Sequence, residues 1–263
     1  MADHSTILEL NQTDIRDSDV ETIGPLLGQR KVLKLDLTRN HISSRGAEVL
    51  ASSLSNSGLR TLLLGRNEIG SNGASSIARA LKSPKTSINI LDFRMNKIDD
   101  YGLKAIADAL PASSIKWLAL SGNTFTVDGI RTLCEALPSS QVKYLSLGAC
   151  GLKNDAIEYL AKAAAQATRL ESLDLRHNVL VDDVGSLFEK QVRGNPRLKA
   201  ILLEGTRVPE RQVKALAREL ACSHNERTQI MTILCSVRTI PRFLGAKIGI
   251  LPVDILRLVA KAL

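Results

Sequence analysis

The sequence predicts an α/β solenoid in which short parallel strands alternate with helices, and three observations support that prediction. The pattern of VLKLDLTRNHI, residues 32–42, occurs eight times at intervals of 27 to 29 residues. One half of each repeat alternates apolar and polar residues as a strand does, whereas the other half spaces its apolar residues as a helix does. The repeats cover about four-fifths of the 263 residues. They therefore predict one continuous stack, since a single repeat cannot bury its own apolar face.

The strands are predicted from a recurring pair of apolar residues, such as Leu35 and Leu37, that are separated by one position. The eight copies begin at Ser5, Val32, Leu59, Ile88, Ile115, Val142, Leu170 and Leu198. A turn and a helix of two to three turns follow each predicted strand. Because successive strands are joined through helices, we expect a parallel sheet on the concave face and the helices on the convex face.

A polar position follows each predicted strand and forms what we call the asparagine column. Its members are Thr13, Asn40, Asn67, Asn96, Asn123, Cys150, Asn178 and Thr206. A buried turn leaves backbone donors and acceptors that need partners, and a carboxamide supplies both kinds of partner. We therefore expect the asparagines to tie each turn to its neighbour. The threonines stand in the first and last copies, where one neighbour is missing.

Two further columns predict close packing at the start and in the middle of each helix. Six residues after the asparagine column stand Gly46, Gly73, Gly102 and Gly129, which predict a close backbone approach or an unusual dihedral angle. Eleven residues after it stand the small residues Gly24, Ala51, Ala78, Ala107, Cys134, Ala161 and Ala217. Glu189 interrupts this second column, and the sequence offers no reason for it.

The chain divides into residues 1–222, the predicted solenoid, and residues 223–263, a predicted C-terminal capping segment. The segment ends in VDILRLVAKAL, which is apolar on one helical face. An open solenoid end requires a cap with a polar outer side, and capping is therefore the favoured interpretation. Docking to another molecule through this amphipathic helix is the alternative.

The four cysteines are predicted to be neither catalytic, nor metal-bound, nor linked in disulfides. Cys134 and Cys150 occupy columns that we expect to be buried, where a free cysteine acts as a small apolar residue. Cys222 and Cys235 have no metal-ligand spacing to a histidine. This usage is typical of a reducing compartment.

The net charge of +8 is unevenly distributed, with −4 in residues 1–30, +8 in residues 31–220 and +4 in residues 221–263. Basic and acidic residues are interspersed without long runs, which favours a solvated surface over the binding of an acidic partner, nucleic acid or anionic lipid. The N-terminus lacks the basic and apolar regions of a secretory signal, and no stretch has 18 uninterrupted apolar residues. We therefore expect a cytoplasmic protein with no membrane partner that is monomeric when unbound.

The strand positions between the inward leucines should face the concave surface and carry any function. Trp117 and Tyr144 occupy the same position in adjacent repeats and are followed by small residues, which predicts a flat shelf beneath two aromatic anchors. The other candidate partner-binding residues are charged: Asp92, Arg94, Asp174, Arg176, Lys34, Asp36, Arg39 and Arg66. Alternatively, the aromatic residues only cover strand edges.

Asp92 and Arg94, like Asp174 and Arg176, should form ion pairs, either within a strand or across strands. Exposed pairs of this kind contribute only ~0–1 kcal/mol. Their expected role is therefore the selection of a partner.

The segments LDLTRNHISSRGAEVLASSL and LLLGRNEIGSNGASSIARAL resemble the ribonuclease-inhibitor-like class of leucine-rich repeats, over about residues 5–220. That class includes ribonuclease inhibitor, the sensor regions of NOD-like receptors and the GTPase activator of Ran. The resemblance implies a horseshoe that binds a folded protein. The chain departs from ribonuclease inhibitor in its few cysteines and from the Ran activator in its basic tail. Similar repeats occur in effectors that intracellular bacteria deliver into host cells, which implies the host cytosol as a second possible location.

The sequence predicts a protein without enzymatic activity, cofactor or metal. It contains no nucleotide-binding glycine loop, no GxSxG, no HExxH and no cluster of cysteine and histidine. The leading hypothesis is a solenoid that holds a folded protein on its concave face and inhibits or regulates it. The alternatives are a GTPase activator that acts through Arg39, Arg66 or Arg94, and a scaffold that docks through its C-terminal helix.

Overall fold

The computed structural model of the chain describes residues 6–29, 32–55, 57–181, 184–192 and 195–222. Within these residues, eight β-strands alternate with eight α-helices. The strands are β1 (Thr6–Glu9), β2 (Val32–Asp36), β3 (Thr61–Leu63), β4 (Ile90–Asp92), β5 (Trp117–Ala119), β6 (Tyr144–Ser146), β7 (Ser172–Asp174) and β8 (Ala200–Leu202). The helices are α1 (Asp17–Gln29), α2 (Ser44–Leu54), α3 (Gly70–Leu81), α4 (Asp100–Ala109), α5 (Val127–Ala136), α6 (Asn154–Gln166), α7 (Val184–Val192) and α8 (Glu210–Cys222). The predicted capping segment, residues 223–263, lies outside the described residues.

The strands form one open parallel sheet in the order of the sequence, from β1 to β8. Equivalent positions of the repeat pair with one another, which gives the row Leu35, Leu62, Leu91, Leu118, Leu145, Leu173 and Ile201. The spacing of the repeats therefore sets the register of the whole sheet. This arrangement confirms the predicted α/β solenoid.

The hydrophobic core lies between the sheet and the helices. None of the row from Leu35 to Ile201 exposes more than 2% of its surface, and the helices contribute buried leucines, isoleucines and alanines such as Leu50 and Ala107. Burying one leucine contributes roughly 1.5–3 kcal/mol, and these side chains repeat from one coil to the next. The solenoid is consequently stabilised along its full described length.

The asparagine column binds each turn to the turn before it, as predicted. The Asn123 side-chain carbonyl accepts hydrogen bonds from the backbone N–H groups of Asn96 and Ile98, both at 3.0 Å. Its amide group donates to the carbonyls of Phe93 at 2.9 Å and Leu120 at 2.7 Å. Asn40 and Asn178 each repeat this set of four bonds.

The direction of these bonds explains one terminal threonine and leaves the other unexplained. Each asparagine reaches back to the preceding repeat, and the first repeat has none. The Thr13 hydroxyl accordingly donates to the Leu10 carbonyl of its own repeat, at 2.7 Å. Thr206 likewise bonds to Leu203 at 2.6 Å, although a repeat does precede it. The prediction that a missing neighbour explains both threonines therefore holds for Thr13 alone.

The glycine column is explained by close approach between consecutive repeats and not by an unusual dihedral angle. A Cβ atom at Gly102 would lie 2.9 Å from the Cα of Ser71 in the preceding helix, and one at Gly73 would lie 2.9 Å from the Cβ of Ala47. None of the four glycines has a positive φ. A larger residue here would push neighbouring repeats apart.

Positive φ angles occur instead at the position just before the asparagine column, which the sequence did not predict. All eight members have φ between 52° and 73°: Gln12, Arg39, Arg66, Met95, Gly122, Ala149, His177 and Gly205. Only two are glycine, although this conformation is unfavourable for other residues. The hydrogen bonds of the adjoining turn therefore impose it.

The column of small residues is buried at Ala51, Ala78, Ala107, Cys134 and Ala161. Glu189 in α7 is only partly buried, and nothing in the structure explains why a glutamate stands there.

Candidate partner-binding surface

The strand register places six of the ten predicted binding residues on, or two residues after, four consecutive strands, β4 to β7. The aromatic residues Trp117 and Tyr144 begin the two inner strands. One Asp–Arg pair flanks them on each side. Asp92 and Asp174 end β4 and β7, and Arg94 and Arg176 lie two residues further on. We call these six residues the central surface.

The two aromatic residues contact each other but differ in exposure. Their ring centroids are 5.8 Å apart, with the ring planes inclined by 39°. Trp117 exposes only 8% of its surface because it packs with Ile90, Ala119 and Tyr144. Tyr144 is partly buried. The predicted picture of two anchors above a shelf therefore changes, since Trp117 forms part of the floor and Tyr144 is the more accessible ring.

Each Asp–Arg pair is a fork formed within one chain segment. The Arg176 Nε and Nη2 atoms donate to the two carboxylate oxygens of Asp174 at 2.9 and 2.8 Å. The Arg94 Nε atom donates to Asp92 at 2.9 Å. In both forks the aspartate also accepts the backbone N–H of the arginine.

The aspartates of the two forks are buried, which the sequence reasoning did not anticipate. Asp92 exposes 3% and Asp174 exposes 5% of their surface. The expectation of exposed pairs worth ~0–1 kcal/mol is therefore wrong. Removing one partner from such a pair leaves an uncompensated charge, at a cost of about 3–5 kcal/mol.

A chain of hydroxyl groups extends the Asp174 fork across the floor of the central surface. Ser146 donates its hydroxyl hydrogen to Asp174 at 3.0 Å, and its oxygen lies 2.6 Å from that of Ser121. Ser121 also accepts the backbone N–H of Gly148 at 2.9 Å. These bonds join β5, β6 and β7, and they order the floor next to Tyr144.

A charged cluster beside Tyr144 was missed by the sequence reasoning. Glu171 lies 3.1 Å from Lys143 and 3.1 Å from Lys199. Burial alone would raise the pKa of Glu171, but the hydrogen bonds and charges of Lys199 and Lys143 outweigh it and lower the pKa. Burial and the neighbouring Glu171 carboxylate, which the hydroxyl also contacts, raise the pKa of Tyr144. Lys143, Glu171 and Lys199 occupy the same position in three consecutive repeats, directly before the strand. That shared position could have predicted the cluster.

The four remaining predicted residues lie away from the central surface, on the first repeats. Lys34 pairs with Glu9 at 3.0 Å, and Asp36 accepts the backbone N–H of Thr38 at 3.0 Å. Arg39 donates to Gln12 at 3.2 Å, at the end of the sheet where the turns begin. Arg66 stands beside it in the next repeat. The structure therefore does not bring these four residues together with the aromatic pair.

The two described cysteines, Cys134 and Cys150, are free and buried. Burial raises the pKa of the free thiols of Cys134 and Cys150 to about 12, and their thiolates are consequently scarce at neutral pH. No group of three histidine, cysteine or acidic residues that could hold a metal occurs within the described ranges. Across those same ranges, no helix has the length and apolar character to cross a membrane.

Comparison with known proteins supports the fold. The family described as Leucine Rich repeat matches residues 28–51, 55–78 and 85–107. Among solved structures, internalin C2 from Listeria monocytogenes is similar, with a TM-score of 0.51 and 19% sequence identity over 80% of this chain and 75% of that chain. No curated protein matches the sequence. Together with the sheet and its register, these matches show that the chain folds as an open α/β solenoid of the leucine-rich-repeat type.

Proposed function

We propose that this chain is a non-enzymatic solenoid that holds a folded protein on its concave face and regulates that partner by covering it. The leucine-rich-repeat fold is typical of protein-interaction modules, and the finer assignment comes from the central surface. Its partner is expected to contact Tyr144 first, because Tyr144 is the more accessible ring of the pair.

One observation carries the proposal, namely that the central surface is ordered before any partner arrives. Both forks hold their arginines, and the serine chain ties β5 to β7. Preformed side chains lose little conformational entropy on binding, and tyrosine and arginine are the residue types that dominate binding energies. A rigid aromatic and arginine surface therefore favours a folded partner with a complementary shape.

The same proposal includes the ribonuclease-inhibitor-like class of repeat and a cytoplasmic location. Each described repeat contains a helix of 9 to 13 residues, as expected for the ribonuclease-inhibitor-like class. The buried free thiols Cys134 and Cys150 suit the reducing environment of a cytoplasm. For a bacterial effector, that cytoplasm would be the host's.

The test begins with capture of partners from native cells, followed by titration of the purified partner in a calorimeter. Replacing Tyr144 by alanine should weaken binding by about 2 kcal/mol, because the substitution removes a hot-spot ring. Trp117→Ala should weaken it by a similar amount, but it also opens a buried site, and its melting temperature must be measured alongside.

A matched control is available on the convex helix α6, where Tyr159 exposes 37% of its surface. Tyr159→Ala removes the same side chain from the opposite side of the solenoid, and it should leave the affinity unchanged. If Tyr144→Ala binds the partner as tightly as the unchanged protein, the proposed binding surface is wrong.

A further inference from the structure

The connections from each helix to the next strand lie along one edge of the solenoid, which we call the helix-to-strand edge. Its described part comprises residues 55, 57–60, 82–89, 110–116, 137–143, 167–171 and 195–199. These short segments hold eight lysine and arginine residues and a single acidic residue. The basic residues are scattered along the sequence, and only the coiling of the chain gathers them.

Most of these basic side chains are exposed and have no acidic partner among the described residues. Six are in this state: Arg60, Lys82, Lys85, Lys116, Arg169 and Arg197. The other two, Lys143 and Lys199, both pair with Glu171, which is the single carboxylate in the described segments of this edge. The edge is therefore a row of uncompensated positive charge.

The opposite edge, where strands lead into helices, is the strand-to-helix edge. It has a larger share of acidic residues, and more of its basic residues are paired. Its described connections hold eight basic and four acidic residues, and several of its basic side chains have acidic partners. Lys97 pairs with Glu68 at 3.2 Å. The arginines of both forks are held by their own aspartates. The single sign of charge is thus a property of one edge and not of the whole surface.

Favourable interactions with helix C-termini do not account for this row of basic residues. Helix C-termini, which lie at the helix-to-strand edge, attract basic residues, but the effect falls off within the last turn. Lys82 follows α3 directly and fits that explanation. Lys116 and Arg197 lie several residues beyond the ends of α4 and α7 and do not.

We infer that the partner of this protein presents an acidic polypeptide segment, rich in aspartate and glutamate, to the helix-to-strand edge. Lys116 and Lys143 immediately precede Trp117 and Tyr144, so the edge borders the central surface. The inference rests on the proposed function, because one partner would occupy both surfaces. The carboxylates of that segment would then pair with basic side chains that have no acidic partner within the described ranges.

The exposed side chains of this edge favour an acidic polypeptide over other polyanions. Proteins that bind single-stranded nucleic acid offer aromatic rings on which successive bases stack, whereas the described segments of this edge contain no aromatic residue. Attachment to a lipid surface requires exposed apolar side chains in addition to charge. The large exposed apolar residues in the described ranges all lie outside the edge segments.

The experiment uses the full chain and a fluorescent decaglutamate peptide, with binding followed by anisotropy at low ionic strength. The variant Lys85→Glu/Lys116→Glu should bind about tenfold more weakly, because rim charges govern the attraction of a charged partner. Its control, Lys153→Glu/Arg207→Glu, alters the net charge equally on the opposite edge and should bind within about threefold of the unchanged protein. Added salt should weaken the interaction.

Melting curves must show that both variants fold, and the glutamine versions of the same pairs serve if either does not. The inference is wrong if the unchanged protein does not bind decaglutamate, or if both variants weaken binding equally. It is also wrong if a single-stranded oligonucleotide of equal charge, or phosphatidylserine vesicles, binds more tightly than the peptide.

Failure of this inference can be told apart from failure of the proposed function. Decaglutamate should bind Tyr144→Ala and the unchanged protein equally, since the peptide needs only the edge. If Lys85→Glu/Lys116→Glu does not weaken the binding of decaglutamate, while Tyr144→Ala still weakens the binding of the captured partner, only the inference is wrong. If the lysine variant weakens the binding of decaglutamate, while Tyr144→Ala does not weaken the binding of the captured partner, only the proposed function is wrong.

Discussion

The two edges of the solenoid are built from the same repeat, and both bury hydrogen-bonded polar side chains, but they differ in how their charged side chains are paired. At the strand-to-helix edge, asparagines such as Asn123 are buried and bonded on every side. At the helix-to-strand edge, lysines such as Lys116 are exposed and have no described acidic partner. Buried polar groups are costly to leave unpaired, whereas solvated charges contribute little to stability. The asparagines of the first edge therefore maintain the fold, whereas the exposed basic residues of the second contribute little to its stability.

The strongest test of this contrast is the removal of one buried carboxamide. Asn123→Ala should lower the free energy of unfolding by about 3 kcal/mol, because it leaves two N–H groups and two carbonyls of adjoining turns without their partner. Lys116→Ala on the other edge should change it by less than about 0.5 kcal/mol. Urea unfolding of both variants measures the difference. Similar losses in the two variants would contradict the division between the edges.

A second test compares two glycines, one at each edge. Gly102→Ala should cost about 2 kcal/mol, because the new Cβ would lie 2.9 Å from the Cα of Ser71 and the backbone would have to shift. At Gly58, a Cβ would meet nothing closer than 3.9 Å. Gly58→Ala should therefore be nearly neutral. Thermal unfolding of the two variants checks the order, and a larger loss at Gly58 would refute it.

The smallest expected effect is a gain at the one interior repeat that lacks an asparagine. Cys150 offers only weak sulfur contacts, at 3.5 Å, to the carbonyls of Leu120 and Gly148. Cys150→Asn should restore the missing carboxamide bonds and stabilise the protein by about 1 kcal/mol. Cys134→Ala, in the column of small residues, serves as a neutral control. A lower melting temperature for Cys150→Asn would show that this turn has adapted to the thiol.

Much of the fold and part of the candidate surface were predictable because the repeat makes equivalent positions neighbours. Trp117 and Tyr144 share one position of the repeat, and their contact follows from strand pairing alone. The burial of Trp117 did not follow, since it depends on Ile90 in the repeat before it. Each fork forms within one repeat, and its aspartate is buried. Both properties depend on side-chain orientations that the spacing of the repeats does not specify. The Glu171 cluster was predictable in principle, because Lys143, Glu171 and Lys199 occupy the same position in three consecutive repeats.

By itself, the sequence determined the repeat length, the strand register, the buried leucines and the asparagine column. These features are periodic, and each residue meets its own counterpart one coil later. Only the tertiary structure decided which side chains are exposed and where the charges collect. Lys85, Lys116 and Arg197 lie far apart in the chain, and they share an edge because every coil returns through the same side of the solenoid. Periodicity sets contacts between equivalent residues, whereas the surface depends on how all the coils stack together.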